Sequence, residues 1–327
     1  MSLSRRSFIG ASLLFGVPDM LRAQPARTVF TATDVHIAGY PTVEAMRWIG
    51  ETLEKETEGR LALRLYHSGQ LGREGDAIDM VRFGALDITR VTMAVLNNPF
   101  PATQVLCLPY VFADTAHLRR ALDGPPGREI ARDFDRRDLV LLAYYDGGTR
   151  NLYNTRHPVV EPHDLHGLKI RVPPSDIFMQ LFRAFGANAT PLPYGEVFSA
   201  LQTHLIDGAE NNWQTFETTR QFEVARYVAR TEHACSPEAL LVSKRRLDAL
   251  ASADRALLTD IAARSVPYMR ALWDRFETAS RDTVLAKGVK ENDVDAAAFR
   301  LAVAPMLREW RRDSRIDALY RTIQELA

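Results

Sequence analysis

Cysteine is nearly absent: Cys107 and Cys235 are the only two in 327 residues. That is too few for a disulfide framework or for a paired C-x-x-C zinc set. Surplus charge is absent too, because 41 Lys and Arg balance 41 Asp and Glu. A chain without a basic field is a poor match for a polyanion such as nucleic acid. Beyond the amino-terminal segment no apolar run approaches the roughly 20 residues that cross a bilayer. The short motifs of common enzymes are missing as well: there is no G-x-S-x-G, no G-x-x-x-x-G-K-[ST] and no H-E-x-x-H. His163 and His166 lie close together in "EPHDLHG", but no further ligand set accompanies them, and they read as surface histidines.

What is present is ordinary globular composition, 25% charged and 46% apolar, with length enough for two domains. The amino terminus differs in kind. "SRRSFIGASLLFGV" sets paired arginines before a short apolar run, and "LRAQPA" offers a small residue to a signal peptidase, so residues 1–23 read as an export signal. Arg5 and Arg6 with Phe8 and Ile9 also resemble a twin-arginine signal. In an oxidising compartment Cys107 and Cys235 are free to pair, although Cys107, inside "QVLCLPYVF", reads as core filling.

The mature chain alternates. "TVFTATDVH" reads as a strand, "YPTVEAMRWIGETLEKETEG" as a helix with Pro41 at its start and Gly59 past its end, and "RLALRLYHSG" as a strand. "GREGDAIDMVRFG" is a second helix and "ALDITRVTM" a third strand. Such β-α-β-α-β order predicts a mainly parallel, helix-covered sheet with its ligand loops at the strand ends. "DLVLLAYYDGG" runs into Gly147 and Gly148, a plausible domain crossing, and "TRNLYNT" begins directly after. A second series follows: "GLKIRV", expected to end just after Arg171 because two prolines follow, then the helix "SDIFMQLFRAFG" begun by Ser175 and Asp176, the helix "GEVFSALQTHL" and the strand-like "DGAENN". From about Ser243 the pattern is helical. Trp48 and Trp213 read as core.

Polar residues gather at strand ends. Arg171 ends one strand, Arg150 opens another, and Asn211 and Asn212 end a third. His36 follows the first strand, Glu74 follows "HSGQLG", and Arg90 closes "LDITR". A guanidinium grips both oxygens of a carboxylate and keeps its charge, while asparagine and glutamate suit hydroxyls. Each of these residues has an ordinary alternative as a charged strand end meeting water.

The segments "YHSGQLGREGDAIDMVRFGALDI", "LPYVFADTAHLRRAL", "GGTRNLYN", "GLKIRVPPSDIF", "GANATPLPYGEVFSALQTHLIDGAENN" and "LVSK" together resemble the periplasmic solute-binding proteins of TRAP transporters, the DctP-like family. The resemblance spans nearly the whole mature chain. It implies an α/β, two-domain Venus-flytrap fold with a ligand cleft between the domains and a long bracing helix. The division it suggests is 24–147 plus 237–276 for domain I, and 148–236 plus 277–327 for domain II with the C-terminal helices. It further implies that Arg171, in "K-I-R-V-P", forms the main salt bridge to a ligand carboxylate, with Arg150 as second arginine and Asn211 beside them. Many relatives continue "E-N-P", whereas this chain reads "GAENNWQTFETTRQFEVA". With "DVHIAGYPTVEA" and "SVPYMRALWD", that resembles the subgroup associated with hexuronates, pointing to glucuronate or galacturonate, with His36, Glu74, Arg90 and Asn212 as hydroxyl contacts. The implied protein is a periplasmic monomer that catalyses nothing, needs no cofactor or metal, and hands its cargo to a membrane permease. Alternatives left open are another organic acid (an aldonate, a C4-dicarboxylate or a keto acid), an exported sugar-acid enzyme, and a ligand-dependent sensor.

Overall fold

The computed structural model describes residues 27–327. The expected export signal, with Arg5 and Arg6, lies outside the described residues. Among the described residues eleven strands form two sheets. In chain order they are β1 (Thr28–Thr33), β2 (Leu61–Tyr66), β3 (Ile88–Thr92), β4 (Leu139–Tyr145), β5 (Thr149–Asn154), β6 (Lys169–Val172), β7 (Asn188–Pro191), β8 (Gly208–Asn211), β9 (Tyr227–Cys235), β10 (Glu238–Ser243) and β11 (Lys290–Asn292). The first sheet runs β2-β1-β3-β10-β4 and the second β11-β9-β5-β8-β6-β7.

The expected parallel character is only half of the result. β1 is parallel to β2 and β3, and β6 to β7 and β8. β10, however, lies antiparallel between β3 and β4, and β5 is antiparallel to both β8 and β9. Each inserted strand returns across a lobe boundary instead of through a covering helix, which is why its direction reverses.

Local sequence explains the elements that carry the site. The helix Pro41–Glu56 has proline at its first turn and buries Val43, Met46, Ile49 and Leu53, a stripe of helical period. β6 runs one residue past Arg171. Pro173 forces Val172 to stay extended, and Val172 still pairs with Pro191. The next helix, Asp176–Ala184, begins as expected, but Ser175 makes no side-chain cap; its Oγ accepts from Asn97 Nδ2 of the other lobe at 2.9 Å.

The chain crosses between lobes at Asp146–Gly148 and at Ser236–Pro237, and these crossings touch. A Cβ on Gly147 would lie 1.7 Å from Ser236 O, and Gly148, at φ +68°, turns against the buried ring of Trp273. Trp273 belongs to the helix Ser252–Ala286, whose 35 residues extend over roughly 50 Å at 1.5 Å per residue. That helix packs on Pro41–Glu56 and β4 in the first lobe and on Trp213–Thr218 in the second. The final helix, Ser314–Gln324, lies against Pro101–Cys107 and Pro125–Asp135. One apolar cluster runs unbroken from Val91, Leu106 and Leu139 to Ile170, Phe178 and Phe182, so the lobes share core behind the cleft. Cys107 is buried in that cluster, and both cysteines are free thiols. Trp213 is buried, Trp48 stacks on Tyr268, and His163 and His166 are exposed.

Candidate ligand-binding site

Between the lobes lies a cavity of about 540 Å³, inside the range of about 300–1,000 Å³ that small-ligand sites span. It sits beyond the carboxyl ends of β1 and β3, where the first sheet's strand order reverses, the usual ligand position of an open α/β sheet. His36, Glu74, Arg90, Arg150, Arg171 and Asn211 all line it. Asn212 does not. Its Oδ1 caps the helix Trp213–Thr218 by accepting from Thr215 N, and its Nδ2 donates to Gly147 O at 2.7 Å. Asn212 thus ties a helix start to the lobe crossing, and the hydroxyl-contact role expected for it is replaced by a structural one.

The three arginines differ in their partners. Arg90 is 1% exposed and donates to Asp34 Oδ1 at 2.5 Å, Glu238 Oε2 at 2.7 Å and Glu74 Oε1 at 2.9 Å. Its guanidinium is therefore committed to the protein, and it acts by holding those carboxylates in place. Arg150 is committed too: Nε and Nη2 form a fork on Glu210 at 2.5 and 2.8 Å, with Phe178 under the guanidinium. His233 Nε2 lies 3.2 Å from the same carboxylate.

Arg171 is the exception. It is 3% exposed, and its Nε and Nη2 donate to the carbonyl of Leu192 at 2.9 and 2.6 Å. Among the described residues no carboxylate pairs with it. Burial pulls its pKa down, yet a guanidinium stays protonated.

His36 shows how the first lobe is organised. Arg90 Nη2 approaches its Nδ1 to 2.5 Å. Asp34 Oδ1 lies 3.1 Å from the same nitrogen, so Nδ1 sits between a donor and an acceptor. Burial, then Arg90, lowers the His36 pKa and keeps the ring neutral. Burial alone would raise the carboxyl of Asp34, but Arg90 and His36 beside it hold it well below the usual carboxylate range. Glu238 fares differently: burial, with Glu74 adding to it, outweighs Arg90 and pushes its pKa up to about 7.

The lobes meet beside the cavity. Tyr194, from the second lobe, sets its ring edge-on to His36 at 5.2 Å, and His36 stacks on Tyr40 at 3.7 Å. At the mouth Arg73 pairs with Glu196 across the lobes at 2.7 Å. Tyr194, Glu238, Asp34, Glu210 and His233 escaped the sequence reading. "DGAENN" contained Glu210 and "TATDVH" contained Asp34, but nothing in either string says that the acid faces an arginine from another strand. No group of three or more His, Cys, Asp or Glu able to hold a metal ion occurs among the described residues. The site can do one thing well: enclose a small polar anion against a buried, unpaired guanidinium.

Two α/β lobes closing on such a cavity define a solute-binding protein. Residues 33–313 match the family described as DctP, bacterial extracellular solute-binding protein, family 7, and the chain belongs to that family. A TRAP periplasmic solute-binding protein from a Bradyrhizobium species, solved in complex with α/β-D-galacturonate, is 45% identical with a TM-score of 0.88, covering 90% of this chain and 99% of that one. One from Chromohalobacter salexigens with bound D-glucuronate is 36% identical, also at 0.88, covering 91% and 100%. The 2,3-diketo-L-gulonate-binding periplasmic protein YiaO of Escherichia coli is 32% identical over 81% of each chain.

Proposed function

We propose that this protein captures a hexuronate, glucuronate or galacturonate, in the periplasm and delivers it to the membrane permease of a TRAP transporter. The observation that carries the reading is Arg171, a buried guanidinium lining the inter-lobe cavity with no carboxylate partner among the described residues. A ligand carboxylate completes it, and Asn211 and the neutral ring of His36 serve the sugar hydroxyls. Glu74, pinned by Arg90 and by Thr92 N at 2.9 Å, is a rigid acceptor for a further hydroxyl. Relatives solved with galacturonate and glucuronate support this ligand class. Arg150 acts through Glu210, as a wall of fixed polarity rather than as a second anchor.

In this reading ligand binding stabilises the closed form by bridging Arg171 and Asn211 of one lobe to His36 and Glu74 of the other. The protein works as a monomer, exported by its amino-terminal signal, and residues 24–147 with 237–276 move against the remainder. A thermal-shift screen of the signal-less protein tests it, because a ligand at a hundred times its Kd stabilises by about 2.7 kcal/mol. The expected result is a shift with glucuronate or galacturonate. A shift only with aldonates, C4-dicarboxylates or keto acids overturns the ligand class, and turnover of any sugar acid overturns the transport role.

A further inference from the structure

Around the cavity three buried guanidinium groups, Arg90, Arg150 and Arg171, face four buried carboxyl groups, Asp34, Glu74, Glu210 and Glu238. His36 and His233 are both held neutral by burial. Arg73 and Asp76 also line the opening, but they are exposed and screened by water. Before any ligand arrives, the buried acids thus already outnumber the buried cations. An anion entering on Arg171 adds to that surplus in a region of low dielectric, where like charges are costly.

Three of the four acids share one guanidinium, and they are not equivalent. Asp34 also accepts from His36 N at 2.9 Å and Thr42 Oγ1 at 2.7 Å, and His36 Nδ1 lies 3.1 Å from its Oδ1. Glu74 Oε1 also accepts from Thr92 N. Glu238 has the least support: Oε2 accepts from Arg90, and among the described residues nothing bonds Oε1. It lines the cavity at the start of β10, directly after the crossing at Ser236–Pro237, opposite Thr92 in the ladder. Facing it are Arg90 from β3, Glu74 from the helix start, and Asp34 from the loop after β1. Tyr40, Arg150 and Cys107 also lie within its electrostatic reach.

We propose that Glu238 is the proton-accepting residue of the site, so that capture of a sugar-acid anion is accompanied by uptake of a proton on its carboxyl group. The neutral acid then relieves the surplus and offers an O–H to a ligand oxygen. The inference rests on the reading that a sugar-acid anion occupies this cavity. Its chemistry is a protonation only: the proton comes from solvent, and no covalent bond to the ligand forms. Titration of Glu238 near neutrality agrees with this role.

The test is calorimetric titration of the signal-less protein with glucuronate or galacturonate in phosphate and in Tris, from about pH 6 to about pH 8.5. Proton uptake makes the observed enthalpy differ between the two buffers. It also makes affinity fall as pH rises past neutrality, by up to about tenfold per pH unit. In Glu238→Gln, whose amide stands in for the neutral acid, both effects disappear. Equal enthalpies in the two buffers and a flat affinity profile overturn the inference while leaving the function intact. Proton uptake that persists in Glu238→Gln assigns the proton elsewhere and overturns it as well. Absence of binding to any sugar acid overturns the proposed function and this inference together. Should the glutamine variant not fold, Glu238→Asp must move the midpoint of the affinity profile; an unmoved midpoint refutes the assignment.

Discussion

Replacing Arg171 by alanine separates binding from stability. In this arrangement the guanidinium is buried, among the described residues only the Leu192 carbonyl holds it, and burial disfavours its charge. Removing it relieves a desolvated, unpaired cation at the cost of leaving one carbonyl without its donors, so the ligand-free melting temperature should stay level or rise slightly. Binding behaves in the opposite way. A carboxylate closed into the cavity without its partner is a buried orphan charge, and losses of that kind run to about 3–5 kcal/mol. At 1.4 kcal/mol per decade, affinity should fall at least about a hundredfold. Arg171→Lys should also bind poorly, because an ammonium cannot both hold Leu192 O through two nitrogens and present a flat edge to the ligand. Calorimetric titration paired with thermal melts of the ligand-free variants reads both quantities. Undiminished affinity in Arg171→Ala would refute the anchor assignment, whatever the melting temperature does.

Three further outcomes follow from the geometry. Glu210→Ala strands Arg150 in the core and should cost about 3–5 kcal/mol of stability in urea unfolding; a loss below about 1 kcal/mol would show that Arg150 finds another partner or water. Asp34 has a folded-state pKa held below its unfolded value, so its contribution is fully present above the ordinary carboxylate range and is lost as pH falls through the folded value. Asp34→Asn should accordingly be well below the native protein in stability at neutral pH and converge with it in acid, which unfolding curves at several pH values check. Arg73→Ala should weaken closure by no more than about 1 kcal/mol, in a salt-dependent way, because the Arg73–Glu196 pair is exposed. A double-mutant cycle with Glu196→Ala measures the pair, and a larger coupling would mean that the mouth, not the cavity floor, governs retention.

The halves of the fold differ in how openly the sequence wrote them. The helix Pro41–Glu56 and the strands up to β6 carry their own period, caps and punctuation, and all could be read directly. β9 and β10 could not. "EALLVS" is buried at every position because neighbours flank it on both sides, so it lacks the alternation that betrays a strand with one wet face. The site shows the same division. Residue type and position at a strand end singled out Arg171, Arg150, Arg90, His36 and Glu74, which line the cavity, but not which arginine lacks a carboxylate among the described residues. That depends on carboxylates delivered by other strands: Glu210 from β8 to Arg150, and Glu238 from β10 to Arg90. Asn212 shows the converse, a polar residue in the right string whose side chain was needed by the chain crossing beside it.

The two lobe crossings and the long helix amount to three covalent tethers between the same pair of bodies. Bodies tied at three places do not wander independently: twisting or sliding strains a tether, and bending about the line through the Gly147 and Ser236 contact is the softest motion left. For a ligand that draws these lobes together, the tethers lower the orientational entropy lost relative to two untethered bodies.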